Sequence, residues 1–219
     1  MTRPLLLGHR GARACKEIPE NTLVSFDRAL ADGCDGFEFD VRLTADGEAV
    51  ISHDAICPDA KFGKLQIARS PANKLTSLPR LEEVLARYRQ AFLDIELKVL
   101  GLEHLVIKQL KKLRPECFVI SSFLPAVLKT LSALESGLPL GLICETKAQL
   151  QRWPKLPVRF VIPHYKLVRR SLIRELHRAN KKVLVWTVNR SRAMQQFSDW
   201  EVDGIISDDT ELLSKTLGS

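Results

Sequence analysis

The feature that most constrains this chain is an alternation kept up over nearly its whole length, in which short β-branched or apolar runs are separated by stretches with apolar residues at helical spacing. The runs are Leu5–Gly8, Gly36–Val41, Phe92–Leu97, Phe118–Ser122, Leu140–Cys144, Arg159–Pro163, Lys182–Val188 and Val202–Ser207. Between them, Leu23, Phe26, Ala29 and Leu30 share one helical face, as do Leu102, Leu105, Val106, Leu110 and Leu113, and again Leu172, Ile173, Leu176 and Ala179. Such alternation predicts parallel strands joined by helical crossovers. Eight strands predict an α/β fold closed into a (β/α)8 TIM barrel. An open doubly wound sheet competes, but the G-x-G-x-x-G turn that usually follows its first strand is absent after Leu5–Gly8. No Pro-, Ser- or Gly-rich linker interrupts the pattern, so residues 1–219 are expected to form one domain.

One segment breaks the alternation. Glu48–Ser52 follows the second strand after only Thr44-Ala45-Asp46-Gly47, too short for a parallel crossover, and Asp-Gly is a hairpin signal. Glu48–His53 is therefore expected to pair antiparallel with the second strand, outside the count of eight.

Charge narrows the partners without choosing among them. Lys and Arg number 33 against 26 Asp and Glu, a net +7, which suits nucleic acid, a membrane surface or a phosphorylated small molecule. No run approaches the roughly 20 apolar residues of a membrane span, and the few residues between Pro4 and His9 are too short for a secretory signal. A soluble cytoplasmic protein without stable membrane insertion is the expectation. Cys15, Cys34, Cys57, Cys117 and Cys144 are odd in number and scattered, so they are expected to be reduced and mostly buried.

In a barrel of this kind, catalytic side chains stand at the C-terminal ends of strands and in the loops that follow. Those positions hold His9 and Arg10, Glu38 and Asp40, Glu96 and Lys98, Trp186 and Asn189, and Asp208 and Asp209, while His53 ends the hairpin strand. Glu38 and Asp40 are two apart and share a face. Glu96, in Asp94-Ile95-Glu96-Leu97-Lys98, brings a third carboxylate inward from the neighbouring strand if the same alternation holds. Three converging carboxylates with oxygen-only ligation suit Mg²⁺, Ca²⁺ or Mn²⁺ better than zinc. Spacing alone equally allows a network of ion pairs with Arg10, Arg42 and Lys98. His9 and His53 beside such a site are suited to divide proton removal and proton donation, because imidazole titrates near neutral pH.

Taken in order, His9-Arg10-Gly11, Pro19-Glu20-Asn21-Thr22, Gly36-Phe37-Glu38-Phe39-Asp40-Val41, Thr44-Ala45-Asp46-Gly47 and His53-Asp54 closely resemble the N-terminal signature of the glycerophosphodiester phosphodiesterases. Ile95-Glu96-Leu97-Lys98, Ser121-Ser122-Phe123, Trp186-Thr187-Val188-Asn189 and Asp203-Gly204-Ile205-Ile206-Ser207-Asp208 resemble the later strand motifs of that family. The resemblance implies hydrolysis of a glycerophosphodiester to glycerol 3-phosphate and an alcohol. It also implies one divalent cation, Mg²⁺ or Ca²⁺, on Glu38, Asp40 and Glu96, with His9 and His53 as the acid/base pair. Arg10 and Lys98 would hold the phosphate, and Trp186 would pack near the glycerol end. Pro19-Glu20-Asn21-Thr22 is expected to be structural, with Asn21 or Thr22 capping the helix that begins near Leu23.

Two departures bear on specificity. The segment Asp54–Ser77 is shorter than the family's usual insertion, and Pro79-Arg80-Leu81-Glu82-Glu83 stands where the family has a Pro-Thr-Leu-Glu-Glu motif. Ala55, Ile56, Phe62, Leu65 and Ile67 leave open a groove for an acyl chain, and so a lysophospholipase D activity on the same fold. The stretch Lys166–Lys182, with Arg170, Arg174 and Arg178 four apart, leaves open a non-catalytic binder of anionic surfaces. No aromatic residues interleave those charges, so no nucleic-acid partner is expected.

Overall fold

The computed structural model describes residues 3–59 and 63–218. Its main sheet is formed by β1 (Leu5–His9), β2 (Gly36–Leu43), β6 (Phe92–Leu97), β7 (Cys117–Ser122), β8 (Leu140–Cys144), β9 (Phe160–Pro163), β10 (Lys182–Val185) and β11 (Gly204–Ser207). Each pairs in parallel with its neighbours in the order β1-β11-β10-β9-β8-β7-β6-β2, and pairing of β1 with β2 closes the ring. The fold is the (β/α)8 barrel. Helices α1 (Leu23–Ala31), α2 (Leu81–Arg87), α3 (Glu103–Leu113), α4 (Pro125–Leu134), α5 (Lys147–Leu150), α6 (Arg170–Arg178), α7 (Ser191–Asp199) and α8 (Thr210–Leu217) make the crossovers.

Period-2 alternation divides the strand side chains between two cores. Outward residues such as Phe37, Phe39, Ile95, Val161 and Val185 pack beneath the helices in one continuous cluster. There Phe26 of α1 stacks on Phe37 with ring centres 4.2 Å apart, and Tyr88 meets Phe37 edge-on at 5.0 Å. Inward residues Leu7, Val119, Ile143, Phe160, Ile162, Leu184 and Ile206 fill the barrel itself. Gly36 also faces inward; a Cβ there would lie 1.9 Å from the carbonyl oxygen of Phe92, so only glycine lets β2 and β6 approach this closely.

The hairpin strand is β3 (Ala49–Ile51), shorter at both ends than the sequence pattern suggests, and it pairs antiparallel with the end of β2. A second hairpin follows, β4 (Ile56–Asp59) with β5 (Gly63–Gln66), then two 3₁₀ turns. The groove left open by this segment is not seen among the described residues. Ile67 is buried with Val50, Cys57 and Leu75 in a small core of its own, and Leu65 packs against that core. Ala55 and Ile56 are exposed, and Phe62 lies outside the described residues. A second difference concerns the seventh barrel strand, which ends at Val185 rather than Val188. Beyond it Trp186 makes a single bridge to His164, whose neighbour Tyr165 donates its backbone N–H to the Trp186 carbonyl at 2.7 Å.

No cysteine is bridged; Cys34, Cys57 and Cys144 are buried, Cys15 is half-buried and Cys117 is exposed. Among the described residues no helix is long and apolar enough to cross a membrane.

Candidate active site at the barrel mouth

Strand register stacks the inward polar residues in two layers. His9, Glu38 and Asp94 sit level on β1, β2 and β6, and Asp40, Glu96 and Ser121 form the layer above on β2, β6 and β7. A cavity of about 270 Å³ opens over them. Its walls include His9, Arg10, Glu38, His53, Glu96 and Lys98, its aromatic side is Phe123 and Trp186, and Ile143, Ile162 and Ile206 are its apolar part. Among the described residues, none of the apolar side chains of the Asp54–Ser77 segment lines it.

Glu38, Asp40 and Glu96 are all buried, and each offers an oxygen within 4.8 Å of the others. The carboxylates converge, and two of them also carry ion pairs. Lys98 Nζ bridges Glu96 Oε1 at 2.7 Å and Asp40 Oδ1 at 3.2 Å, and Arg10 Nε lies 3.3 Å from Asp40 Oδ2. Arg42 instead donates from Nε and Nη2 to the carbonyl of His53. The two cations Arg10 and Lys98 face four buried carboxylates, because Asp94 shares the interior with the triad.

The imbalance appears in the ionisation. Burial and the neighbouring Asp40, Glu96 and Asp94 push Glu38 well above the usual carboxylate range. Burial and Asp40 raise Glu96 to about 7 against the pull of Lys98. Asp94 is also raised by burial to about 7, although Ser121 Oγ donates to its Oδ1 at 2.5 Å. For Asp40 the burial penalty is outweighed by Lys98, Arg10 and the Asn21 amide, so its carboxyl lies below the usual range. Glu38 Oε1 is buried with no hydrogen bond, and Asp40 Oδ1 has only the Lys98 ammonium beside it. A set of oxygen donors with an excess of negative charge and unpartnered buried atoms fits a hard divalent cation.

His9 is fixed by Asp208, whose Oδ1 lies 2.6 Å from Nδ1, leaving Nε2 3.8 Å from Glu38 Oε2. Asp208 is braced in turn by Asn189 Nδ2 at 2.5 Å and Arg13 Nη1 at 3.2 Å. Despite burial, the bond and charge of His9 draw its carboxyl down to about 2. His53 is less enclosed, with Nδ1 2.8 Å from Asp54 Oδ1. Trp186 donates from its indole to the Ile162 carbonyl at 2.9 Å, with Phe123 and His164 both set edge-on against it.

The sequence profile of the Glycerophosphoryl diester phosphodiesterase family matches residues 9–212, from His9 at the end of β1 into α8. The chain belongs to this family. A glycerophosphodiester phosphodiesterase of Caldanaerobacter subterraneus subsp. tengcongensis is 30% identical, with 96% of each chain covered. Among solved structures, the glycerophosphodiester phosphodiesterase of Thermotoga maritima superposes with a TM-score of 0.85 at 25% identity, covering 98% of this chain and 99% of that one. A phosphodiesterase of Oleispira antarctica, solved in complex with the product sn-glycerol-3-phosphate, gives 0.85 at 25% identity, covering 99% and 98%.

Of the residues given a role from the sequence, His9, Arg10, Glu38, His53, Glu96, Lys98 and Trp186 border the cavity and Asp40 lies behind it within the triad, whereas the strand-end residues Asn189, Asp208 and Asp209 do not line it. Three further residues emerge from the structure. Asp94 was legible as the inward position two before Glu96. Asp208 stands at a strand end already singled out, but nothing local indicates that it meets His9, 199 positions away. Asn21 left no signal. The helix cap belongs to Thr22, whose Oγ1 accepts from Ser25 N, whereas Asn21 donates from Nδ2 to Asp40 Oδ2 at 2.8 Å and accepts from the Asp40 N–H. Glu20 holds both Arg10 and Arg13.

Proposed function

We propose that this chain hydrolyses glycerophosphodiesters to glycerol 3-phosphate and an alcohol, with one divalent cation, Mg²⁺ or Ca²⁺, held by Glu38, Asp40 and Glu96. The observation that carries this is the buried oxygen triad, closed within 4.8 Å beside a cavity that two histidines border. The product-bound Oleispira antarctica relative, alike over nearly the whole chain, supports the choice of glycerol 3-phosphate as product. A cation bound there would polarise the phosphoryl oxygens and stabilise charge that develops on them.

The remaining roles follow from each side chain's surroundings. Arg10 offers forked donors suited to phosphate oxygens, and Glu20 holds its guanidinium against the cavity wall. Lys98 adds a point charge beside Glu96 and Asp40. His9, tethered at Nδ1, has Nε2 free to exchange a proton with one diester oxygen, and His53 at the rim serves the other. Trp186 and Phe123 give the cavity an apolar wall for the carbon skeleton of the substrate.

Product analysis with glycerophosphocholine, glycerophosphoethanolamine, glycerophosphoglycerol and a lysophospholipid, each with Mg²⁺ and Ca²⁺, tests this proposal. Glycerol 3-phosphate should appear from the soluble diesters and cease to appear in a chelator. Glu38→Ala and Glu96→Ala should weaken metal binding, measured by calorimetry, together with activity. Turnover that persists in a chelator, or that is confined to the lysolipid, overturns it.

A further inference from the structure

Large apolar side chains left exposed are distributed unevenly over this barrel. Among the described residues they are Val24, Ile56, Leu100, Leu124, Leu134 and Tyr165. Ile56, Leu100, Leu124 and Tyr165 lie in segments that follow barrel strands or in the hairpin beyond β3, and Val24 is in the first turn of α1. Because crossover helices run antiparallel to the strands, the first turn of a helix is at the same end as the mouth. Only Leu134, at the end of α4, belongs to the opposite end. Leu100 is 56% exposed in the link between β6 and α3, which leaves apolar surface in water.

Five exposed cations at the mouth end follow two adjacent strands. Lys166, Arg169 and Arg170 follow β9, and Arg190 and Arg192 follow the adjacent β10. Neither segment, 164–170 or 186–192, contains an acidic residue. All five side chains are exposed, and none has an acidic partner within ion-pair distance among the described residues. Their local placement is unfavourable. Arg169 and Arg190 occupy the N-cap positions of α6 and α7, neither makes a capping hydrogen bond, and neither helix has an acid in its first turn. The helix dipole disfavours positive charge at that end. Two helices thus begin with the wrong cap and the wrong charge for their own stability, both beside the mouth.

Strand order puts the two kinds of residue on either side of β8 and its loop. The apolar tips follow β3, β6 and β7, the cations follow β9 and β10, and Tyr165 is at the junction with the Lys166 ammonium 5.8 Å from its ring centre. We propose that the mouth end of this barrel docks on an anionic phospholipid bilayer, with Ile56, Leu100, Leu124 and Tyr165 entering the headgroup region and the β9 and β10 cations lying against lipid phosphates. A bilayer meets both requirements, an apolar layer for the tips and a sheet of negative charge for the cations. A nucleic acid meets only the second. A second copy of the chain related by a two-fold axis would bring the cations against themselves.

Sedimentation with vesicles reads this without turnover, so its outcome is separate from that of the proposed reaction. The protein should pellet with vesicles of equal parts phosphatidylcholine and phosphatidylglycerol at about 0.1 M salt, and release as salt screens the cations. Vesicles of phosphatidylcholine alone should hold it far less. Lys166→Gln, Arg169→Gln and Arg170→Gln combined should lower the partition coefficient by roughly a hundredfold, at about fivefold per charge. Leu100→Ser with Leu124→Ser should lower it by about tenfold. Both variants should hydrolyse a soluble glycerophosphodiester at the unaltered rate, which shows that they are folded. Absence of binding to the anionic vesicles overturns the proposal, as does equal binding to neutral ones. Retention of full affinity by the leucine variant also overturns it, because the surface would then be a polyanion site with no part in the bilayer.

Discussion

Removing the charge of Asp208 while keeping its shape should uncouple the orientation of His9 from the rest of the site. In Asp208→Asn the volume and the neighbours Asn189 and Arg13 remain, but the 2.6 Å bond to His9 Nδ1 is no longer made to a carboxylate. With its carboxyl near 2, Asp208 is ionised at any working pH, so the bond that is lost is charge-assisted. Bonds to charged groups contribute about 1.5–3 kcal/mol. At 1.36 kcal/mol per decade this corresponds to a fall in kcat of roughly 10- to 150-fold. Asp208 touches His9 and does not border the central cavity, so KM for a soluble diester should change little. Steady-state kinetics on glycerophosphocholine, with metal affinity measured in parallel by calorimetry, would separate the two effects. If kcat stays within about twofold, or if the loss falls entirely on KM or on metal affinity, Asp208 is not what orients His9.

Asn21→Ala should leave the Oδ2 and N–H of Asp40 each short of a partner in a buried setting, which costs about 1–3 kcal/mol; a lowered Tm together with weaker metal binding is expected, and an unchanged Tm would refute the role. Gly36→Ala places a methyl group against the β6 backbone and should destabilise by about 3 kcal/mol or more, or prevent folding, as read by urea denaturation. Asp208 also makes stability depend on acid. Its folded pKa is depressed from 3.8 to about 2, so it contributes stability that is complete above pH 3.8 and is lost as pH falls through about 2. Allowing for solvent screening this is about 1–2 kcal/mol, and the stability difference between wild type and Asp208→Asn should shrink accordingly between neutral pH and pH 2.

What could be read in advance was whatever depends on short-range periodicity. Alternation along Gly36–Val41 and Phe92–Leu97 placed Glu38, Asp40 and Glu96 inward, because a strand has no freedom to do otherwise once its other face, with Phe37, Phe39 and Ile95, is covered by helices. The eight runs, the hairpin after β2 and the ordered motifs from His9 to His53 are likewise local properties of the chain. The ends of elements were less well determined, as β10 shows, since Trp186 leaves the ladder to meet His164 and Ile162.

Long-range partners were decided only by closure of the barrel. Pairing of β1 with both β2 and β11 sets His9 between Glu38 and Asp208, and the β1–α1 loop turns Asn21 through a left-handed backbone conformation onto Asp40 rather than onto the helix it precedes. Whether Ala55, Ile56, Phe62, Leu65 and Ile67 form the acyl groove they left open was not legible in the sequence for the same kind of reason. Composition identifies apolar side chains, but whether they line a cavity or bury one another depends on what lies opposite, and here Ile67 and Leu65 meet Val50, Cys57 and Leu75. The sequence by itself determined the strands, the inward carboxylates and the family. Which donor holds which acceptor, and which apolar residues remain in water at the mouth, belonged to the tertiary structure, because those contacts join residues that only the closed ring brings together.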